Sequence, residues 1–265
     1  MVELFDAKLR TAGQGTLLPS YHVLVPEKSD YLYCSVVRDF ETQAEVIHGV
    51  SNASCAADVH LTFDDAHSSQ FRFGFPLLQK YRLTAMFFAI SGWVGRSPEY
   101  MNWQQLRELS EAGHQVQSHS LSHVQLTRCG DTELANEVTR SKNEIQQKLG
   151  TAVTSISIPF GRWDRRVIRA CRDAGYANVY TSDPIFPGRM IDVNVIGRFM
   201  ITRKTKLSQL RRILTGHSIA LARVATEHRC KSLIRSAVGE TLYDEIWGVL
   251  RSRKSLLEAA REYRG

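Results

Sequence analysis

The amino-acid pattern predicts an α/β fold in which strands and helices alternate around a ring or barrel. Short apolar runs alternate with helical stretches over the first two-thirds of the chain, which is the order expected of parallel β/α units. The chain has 265 residues, of which 43% are hydrophobic and 23% charged. That length and composition suit a large globular domain with a substantial core.

The first predicted elements surround a pair of acidic residues. Residues 59–63 form a compact strand candidate that runs directly into Asp64 and Asp65. The next apolar run, 84–90, predicts a second strand. Between these strands a helix is predicted over 70–81 from apolar residues at helical spacing, namely Phe71, Phe75, Leu78 and Tyr81.

The middle of the chain continues the alternation. Asn102 is expected to cap a helix over 103–112, because Leu106 and Leu109 share one face and Gly113 suits a left-handed helix end. The segments that follow are predicted in turn as strand 115–118, helix 131–149, strand 155–158, helix 164–174 and strand 178–181.

The last part of the chain is predicted to form a loop, one strand and then mainly helices. Residues 183–189 contain two prolines and predict a loop, and 193–201 predict one further strand. Helices are then expected over 207–224, 231–238 and 242–263. We therefore predict two parts, a barrel over residues 1–202 and a basic helical appendage over 203–265 that packs on it.

Charge is distributed unevenly between these parts. Residues 198–265 hold 15 Lys/Arg against 6 Asp/Glu, whereas the first 197 residues hold 19 against 21. A basic helical segment can contact anionic membrane or nucleic acid, or it can be a solvated helix face. Aromatic residues suited to base stacking are not interleaved with the charges, so nucleic acid is not the expected partner.

Location and redox state are also expectations at this stage. The first residues lack the basic start and apolar run of a secretory signal, and no apolar stretch reaches the roughly 18–20 residues that span a bilayer. The five cysteines are odd in number and scattered, which favours reduced thiols over disulfides. We expect a cytoplasmic protein, with possible contact to the inner face of the membrane through the basic helices.

Two clusters carry the chemistry. Adjacent carboxylates at the end of a buried strand are unfavourable without a cation or hydrogen bonds, so Asp64 and Asp65 point to a metal site. His119 and His123 have the i, i+4 spacing that lets both imidazoles reach one ion if the segment makes a helical turn. Position 120 is Ser, so the glutamate of an H-E-x-x-H peptidase is missing. One carboxylate and two imidazoles leave a coordination position open, as in catalytic zinc sites.

These motifs resemble those of a known family. Leu61-Thr62-Phe63-Asp64-Asp65-Ala66 is similar to the T-F-D-D-G motif of the polysaccharide deacetylases (the NodB-homology family), and the segment from Gly113 to His123 is similar to its H-[ST]-x-x-H motif with the usual lead-in. Tyr21-His22 and residues 39–43 resemble the exopolysaccharide-deacetylase-like subgroup. The resemblance implies a distorted β/α barrel, Asp64 as catalytic base, and Asp65, His119 and His123 as ligands of zinc or a similar divalent ion.

Several positions depart from the family pattern. Ile156-Ser157-Ile158-Pro159-Phe160-Gly161 stands where many members have F-R-P-P-Y-G, so Ser157 replaces the Arg that holds the catalytic Asp. Arg162 and Arg198 are candidates to replace it, with solvated or phosphate-contacting roles as alternatives. The resemblance assigns the oxyanion-stabilising backbone N–H to Phe160. Ala66 replaces the family glycine, which predicts a turn that avoids strongly positive φ.

The general acid has no clear motif. His217 resembles the histidine of the family's late leucine-histidine motif, which usually supplies the general acid. His22 and His67 are alternatives near the expected opening of the site. The resemblance implies a metal-dependent hydrolase that removes an N-acetyl or N-formyl group from an amino sugar in cell-surface polysaccharide biosynthesis. The expected substrates are an N-acylated sugar, a sugar nucleotide or a lipid-linked glycan. A catalytically silent carbohydrate-binding or assembly protein that keeps the metal site is the alternative.

Overall fold

The structure is a computed structural model that describes residues 18–51, 59–184, 188–190 and 192–215, with the single residues 226, 230 and 233. The chain divides into two compact units, Met1–Leu221 and Ala222–Gly265, and the described ranges fall in the first. None of the helices among these residues is long and apolar enough to cross a bilayer. The predicted helices 231–238 and 242–263 lie outside the described residues, as does most of the predicted appendage.

A curled, mostly parallel sheet forms the centre of the first unit. Its strand order is β11-β1-β4-β5-β6-β7-β8-β10-β9, and only the β10–β9 pair is antiparallel. A separate parallel pair joins β2 and β3. The strands are β1 (Pro19–Tyr21), β2 (Val23–Val25), β3 (Cys34–Val36), β4 (Leu61–Phe63), β5 (Ala85–Ala89), β6 (Gln115–Ser118), β7 (Ser155–Ser157), β8 (Asn178–Tyr180), β9 (Gly188–Met190), β10 (Val193–Ile196) and β11 (Phe199–Met200).

Helices follow most strands and cover the outside of the sheet. A π-helical turn, Gln70–Gly74, precedes α2, and 3-10 turns lie at Ser91–Trp93, Leu126–Arg128 and Pro159–Gly161. The α-helices are α1 (Val37–Ser51), α2 (Phe75–Lys80), α3 (Trp103–Glu111), α4 (Asp131–Leu149), α5 (Arg165–Asp173) and α6 (Leu207–Leu214). Helix α6 contacts α1 and buries Leu210, Ile213 and Leu214.

The segment 193–200 closes the sheet into a barrel. Its first half, β10, pairs with β8, and its second half, β11, pairs with β1 at the other end of the strand order. Only Gly197 and Arg198 separate the two pairings. The single strand predicted over 193–201 is therefore two strands, because the chain changes partner at this point. The predicted barrel of alternating strands and helices is confirmed.

The core explains why the strands are short and apolar. The side chains of β5 are buried along its whole length, as expected for parallel strands covered on both faces. Phe63 stacks on Phe87 with ring centroids 4.9 Å apart, and Tyr21 stacks on Phe63 at 5.4 Å. Each large buried apolar side chain contributes roughly 1.5–3 kcal/mol. This packing fixes the strand ends from which the polar residues project.

Local sequence signals predict several elements well and others less well. Asn102 and Gln105 form a reciprocal capping box at the start of α3, and α4 ends at Gly150 with φ of 69°. The single helix predicted over 70–81 is wrong in its first turn, where Gln70–Gly74 is π-helical. The loop predicted over 183–189 is wrong at its end, because β9 begins at Gly188.

Candidate metal centre and active site

The predicted site residues meet at the carboxyl ends of neighbouring parallel strands. Asp64 and Asp65 follow β4, and His119 follows β6, two strands away in the sheet order. The backbone N–H of Asp64 donates to the carbonyl of Tyr21 across the β1–β4 ladder, at 2.9 Å. This is the rim at which β/α barrels place active sites.

Asp65, His119 and His123 converge as a candidate metal-binding triad. The Nε2 atoms of His119 and His123 lie 3.4 and 3.6 Å from Oδ1 of Asp65. Three potential ligand atoms of this group lie within 4.8 Å of one another. Oδ1 of Asp65 is buried and has no hydrogen-bond partner among the described residues, an arrangement that is costly without a cation. The donor set therefore fits a divalent metal ion such as zinc.

A backbone contact orients His119 for this role. Its Nδ1 lies 2.8 Å from the carbonyl oxygen of Ser157, and a carbonyl can only accept, so Nδ1 carries the proton. In the neutral ring Nε2 is then the unprotonated nitrogen, and it lies 3.4 Å from Oδ1 of Asp65. A second ring nitrogen bound to a backbone carbonyl is the usual support for a metal-ligating histidine.

The histidine segment is an irregular loop, so the helical turn that was the condition for the i, i+4 argument is absent between His119 and His123. Ser120 and His123 have φ of 63° and 60°, which no α-helix contains. The backbone N–H of His123 donates to Oγ of Ser120 at 3.1 Å. The i, i+4 pair thus meets through a tight turn rather than through helical geometry.

Glu137 of α4 accepts hydrogen bonds from this loop, a role that the sequence did not predict. Its carboxylate accepts hydrogen bonds from the backbone N–H of Leu121 and of Ser122, both at 3.0 Å, and from the hydroxyl of Ser122 at 2.5 Å. Glu137 is 6% exposed. A buried carboxylate with three donors fixes the loop between the two imidazoles.

Arg198 takes the place of the arginine that is missing at position 157. Its NH1 and NH2 donate to Oδ1 and Oδ2 of Asp64 at 2.7 and 2.8 Å. NH2 also donates to Oγ of Ser157 at 2.7 Å. Asp64 and Arg198 are 2% and 1% exposed. Of the two candidates, Arg198 therefore holds the carboxylate of Asp64, whereas Arg162 donates to Gln125 at 3.1 Å.

Burial and neighbouring charges set the protonation states. Burial alone would raise the pKa of Asp64, but Arg198 and His119 outweigh it and hold that pKa below its ordinary value. Burial lowers the pKa of His119, yet Asp64 and Asp65 raise it above its ordinary value. Burial and the nearby His119 lower the pKa of His123 to about 4. The carboxylates that favour a proton on His119 also favour a divalent cation at the same place.

The general-acid candidates lie in different surroundings. Nε2 of His22 is 3.9 Å from Oδ2 of Asp64, and within the part of the chain that the structure describes its buried Nδ1 has no hydrogen-bond partner. Burial lowers the pKa of His22. His67 lies farther out, with Nδ1 2.8 Å from the hydroxyl of Ser69. His217 lies outside the described residues, so its assignment stays a prediction.

The turn of Phe160 presents an aromatic ring to the triad. Phe160 has φ of 60°, and its ring centroid lies 4.8 Å from that of His123. Its side chain is 60% exposed. The assignment of its backbone N–H to the oxyanion stays a prediction, but its place beside a metal-ligand candidate is consistent with that role.

The turn after β4 is tighter than predicted. Asp65 and Ala66 have φ of 74° and 52°, so the expectation that Ala66 avoids positive φ is wrong. The carbonyl of Ala66 accepts from the N–H of Met101 at 2.9 Å, which helps to hold this unfavourable conformation. Strained backbone of this kind is common at functional sites.

Gln70 supports the same turn and was also missed. Its side-chain amide donates to the carbonyls of Asp64 and of His22, at 2.5 and 2.6 Å. Gln70 is fully buried and opens the π-helical turn. It ties the end of β1 to the end of β4. A π-helical turn next to a candidate site is a recurrent signal of function, but it has no sequence signature here.

Comparison with known proteins finds a family model that matches the central part of the chain. Residues 52–179 match the family model described as polysaccharide deacetylase. This region of the chain is similar to the polysaccharide deacetylases. The resemblance predicted from the two motifs is therefore confirmed, and the matched region contains Asp64, Asp65, His119 and His123.

Individual relatives are similar to this chain over part of their length. A chitooligosaccharide deacetylase from Bradyrhizobium sp. is 31% identical over 139 residues, which cover 50% of this chain and 60% of that protein. The peptidoglycan-N-acetylglucosamine deacetylase PgdA from Listeria monocytogenes is 32% identical over 119 residues, which cover 44% of this chain and 24% of that protein. The matches thus span from a quarter to 60% of these relatives.

Solved structures confirm the fold. A polysaccharide deacetylase from Bacillus cereus aligns with a TM-score of 0.67 at 19% identity, covering 78% of this chain and 69% of that one. A Streptococcus pyogenes deacetylase in complex with acetate aligns with a TM-score of 0.61 at 19% identity, covering 70% of this chain and 92% of that one. The distorted barrel predicted for the family is therefore the fold of this chain.

Proposed function

We propose that this chain is a metal-dependent carbohydrate N-deacetylase that removes an N-acetyl or N-formyl group from an amino sugar. One observation carries the proposal, namely that the carboxylate of Asp64 is locked by Arg198 beside the Asp65–His119–His123 triad. The names of the related deacetylases support the same chemistry. Zinc is the proposed ion, since one carboxylate and two imidazoles are a donor set of catalytic zinc sites.

The chemistry divides between Asp64 and its surroundings. Asp65, His119 and His123 would hold a divalent ion, which would supply Lewis acidity to the site. Asp64 accepts the proton of the attacking water while the hydroxyl adds to the carbonyl carbon. Its pKa is lowered, so the group is ionised at neutral pH, which is the form that a base needs before it accepts a proton. Arg198 donates to both carboxylate oxygens. Asp64 is therefore held in one orientation, in which it acts as the base.

The remaining steps need an oxyanion donor and a proton for the amine. The backbone N–H of Phe160 is the proposed donor to the oxyanion of the tetrahedral intermediate. Breakdown of that intermediate breaks the C–N bond and delivers a proton to the leaving nitrogen. His22 and His217 are the proposed donors. His22 lies 3.9 Å from Asp64, so it can return the proton that Asp64 takes up.

The proposed substrates are an N-acylated sugar, a sugar nucleotide or a lipid-linked glycan in cell-surface polysaccharide biosynthesis. We propose a cytoplasmic location with peripheral contact to the inner face of the membrane. Support comes from five cationic side chains that are exposed in a segment without acidic residues. They are Arg203, Lys204, Lys206, Arg211 and Arg212.

The alternative, a silent carbohydrate-binding or assembly protein, rested on the absent arginine at position 157. Because Arg198 donates to the carboxylate of Asp64, the absence of arginine at position 157 no longer favours a silent protein. Acetate and formate release from a panel of N-acylated sugars and oligosaccharides tests the enzyme directly. We expect release by the wild-type protein with added zinc and its loss in Asp64→Asn. Sugar binding without any release would favour the silent protein.

A further inference from the structure

Backbone hydrogen bonds join the loop after β5 to the histidine loop, residues 119–123. Strands β5 and β6 are parallel neighbours, and the last residue of β5 in their ladder is Ala89. Beyond the ladder, the N–H of His119 donates to the carbonyl of Ala89 at 2.8 Å. The N–H of Ser91 donates to the carbonyl of Ser120 at 3.2 Å. The two chain segments therefore stay bonded to each other after both strands have ended.

The loops approach each other most closely at Gly92. Its N–H donates to the carbonyl of Leu121 at 2.9 Å. A Cβ atom on Gly92 would overlap the oxygen of that carbonyl and would lie 3.4 Å from its carbon. Gly92 is not among the glycines with positive φ. Position 92 therefore requires glycine for the close approach of two backbones and not for an unusual backbone conformation.

The opposite edge of the histidine loop is bonded to α4. The N–H of Leu121 donates to the carboxylate of Glu137 at 3.0 Å, while its carbonyl accepts from Gly92. Leu121 stands midway between the two histidines and is thus held from both sides. The residue after Gly92, Trp93, places its ring 5.6 Å from that of His123. The loop after β5 therefore contacts the backbone of the histidine loop and one of its imidazoles.

We propose that Gly92 is a positioning residue of the candidate metal centre. Its missing side chain lets the loop after β5 lie against the histidine loop, and this contact fixes the separation of the imidazoles of His119 and His123. The inference deepens the proposed function, on which it rests, because it concerns an ion held by Asp65 and these two histidines. Gly92 itself supplies no ligand atom and acts through the backbone alone.

The variant Gly92→Ala tests the inference through metal binding. The added methyl group overlaps the carbonyl of Leu121, so the histidine loop shifts. We expect the affinity for zinc, measured by competition with a chromogenic chelator, to fall about 10- to 100-fold. The visible absorption spectrum of the Co²⁺-loaded protein should change as well, because it depends on the arrangement of the ligands. Ser91→Ala is the matched neighbouring control and should keep both properties, since the Ser91 hydroxyl has no hydrogen-bond partner among the described residues.

A second control separates positioning from a general loss of stability. Ile47→Ala removes a fully buried side chain of α1, outside the two loops. It should lower the free energy of unfolding in urea, measured with chelator present, but leave the zinc affinity unchanged. Equal zinc affinities of Gly92→Ala and wild type overturn the inference and leave the proposed function intact. An equal loss of affinity in Ile47→Ala and Gly92→Ala also overturns it, because the loss then follows stability alone.

Hydrogen exchange of the wild-type protein tests the same contact without a substitution, and it decides the matter if Gly92→Ala does not fold. Zinc at 100 times its dissociation constant should slow exchange about 100-fold at any N–H whose opening releases the ion. We expect this for the N–H groups of Gly92 and Leu121, but not for Arg82, which donates to Gln79 in the turn before β5. Slowing at Leu121 without slowing at Gly92 overturns the inference. A wild-type protein that binds no zinc overturns both the inference and the metal centre of the proposed function.

Discussion

Arg198 and Asp64 form a buried, bidentate ion pair across the point where the barrel closes. The two oxygens of Asp64 accept from NH1 and NH2 of Arg198 at 2.7 and 2.8 Å. Arg198 lies between β10 and β11, the strands that pair with opposite ends of the sheet order. The contact that orients the proposed base is therefore also part of barrel closure, and one substitution affects both stability and activity.

Removal of Arg198 should be strongly destabilising. Arg198→Ala leaves the Asp64 carboxylate buried without its partner, which typically costs about 3–5 kcal/mol. Arg198→Lys keeps the charge but not the planar two-point contact, so an intermediate loss is expected. Urea unfolding of both variants measures the effect, with acetate release as a second readout. A stability of Arg198→Ala equal to that of wild type would contradict the role given to the pair.

Relocation of the arginine should restore what Arg198→Ala loses. The hydroxyl of Ser157 lies 2.7 Å from NH2 of Arg198, so side chains from the two positions reach the same place. In the Arg198→Ala background, Ser157→Arg should recover part of the stability and of kcat. Ser155→Arg, also buried on β7, is a mismatched control that should recover neither. If the two double variants behave alike, position 157 has no special access to Asp64.

Elements with strong local signals were predictable from the sequence. Helix α4 spans Asp131–Leu149 with Gly150 as its C-cap, as predicted, because acidic residues favour a helix start and glycine a left-handed end. Asn102 likewise marks the start of α3. The metal-ligand candidates were predictable for a different reason, since Asp65, His119 and His123 stand in two compact motifs.

Contacts between distant parts of the chain were not predictable in the same way. Arg198 is 134 residues from Asp64, and only the change of partner between β10 and β11 brings them together. The sequence places Glu137 at a polar position of an amphipathic helix. In the structure its carboxylate accepts a hydrogen bond from the loop between His119 and His123. The turns at Ala66 and Ser120 have positive φ, a conformation held by tertiary contacts that residue type alone does not indicate.

Glu137→Gln should weaken metal binding without removing a ligand. The carboxylate accepts three hydrogen bonds from the loop, whereas the amide places an NH₂ group against one of these donors. Loss of such support typically lowers metal affinity about 10- to 100-fold. Competition with a chromogenic zinc chelator measures it, and Glu144→Gln on the same helix is the matched control. Unchanged affinity in Glu137→Gln would mean that the histidine loop keeps its shape unaided.

Metal should stabilise the protein only through an intact triad. A ligand that binds the folded state alone adds about 2.7 kcal/mol at a concentration 100 times its dissociation constant. We expect zinc to raise the free energy of unfolding of the wild-type protein by this order, and a chelator to reverse the gain. Asp65→Asn should lose most of it because the neutral amide is a poor metal ligand. Asp173→Asn, an exposed control on α5, should keep it, and equal zinc responses in both variants would place the ion elsewhere.

His114 should make stability depend on pH below neutrality. Its ring is buried next to Phe75 and Phe87, and Nδ1 accepts from the backbone N–H of Ala85 at 3.2 Å. Burial lowers its pKa to about 4, whereas an unfolded histidine titrates near 6.5. The unfolded state therefore binds the proton first. The contribution of neutral His114 is fully present above pH 6.5 and is lost as the pH falls towards 4.

The difference in stability between wild type and His114→Gln isolates this effect, because all other titrating groups are common to both proteins. The free energy of unfolding of the wild type minus that of His114→Gln should be constant above about pH 6.5. It should fall by about 3 kcal/mol between pH 6.5 and pH 4. Urea unfolding at a series of pH values measures it. A difference that stays flat across this range would show that His114 can be protonated inside the folded protein, so its buried hydrogen bond to Ala85 would not hold the neutral ring.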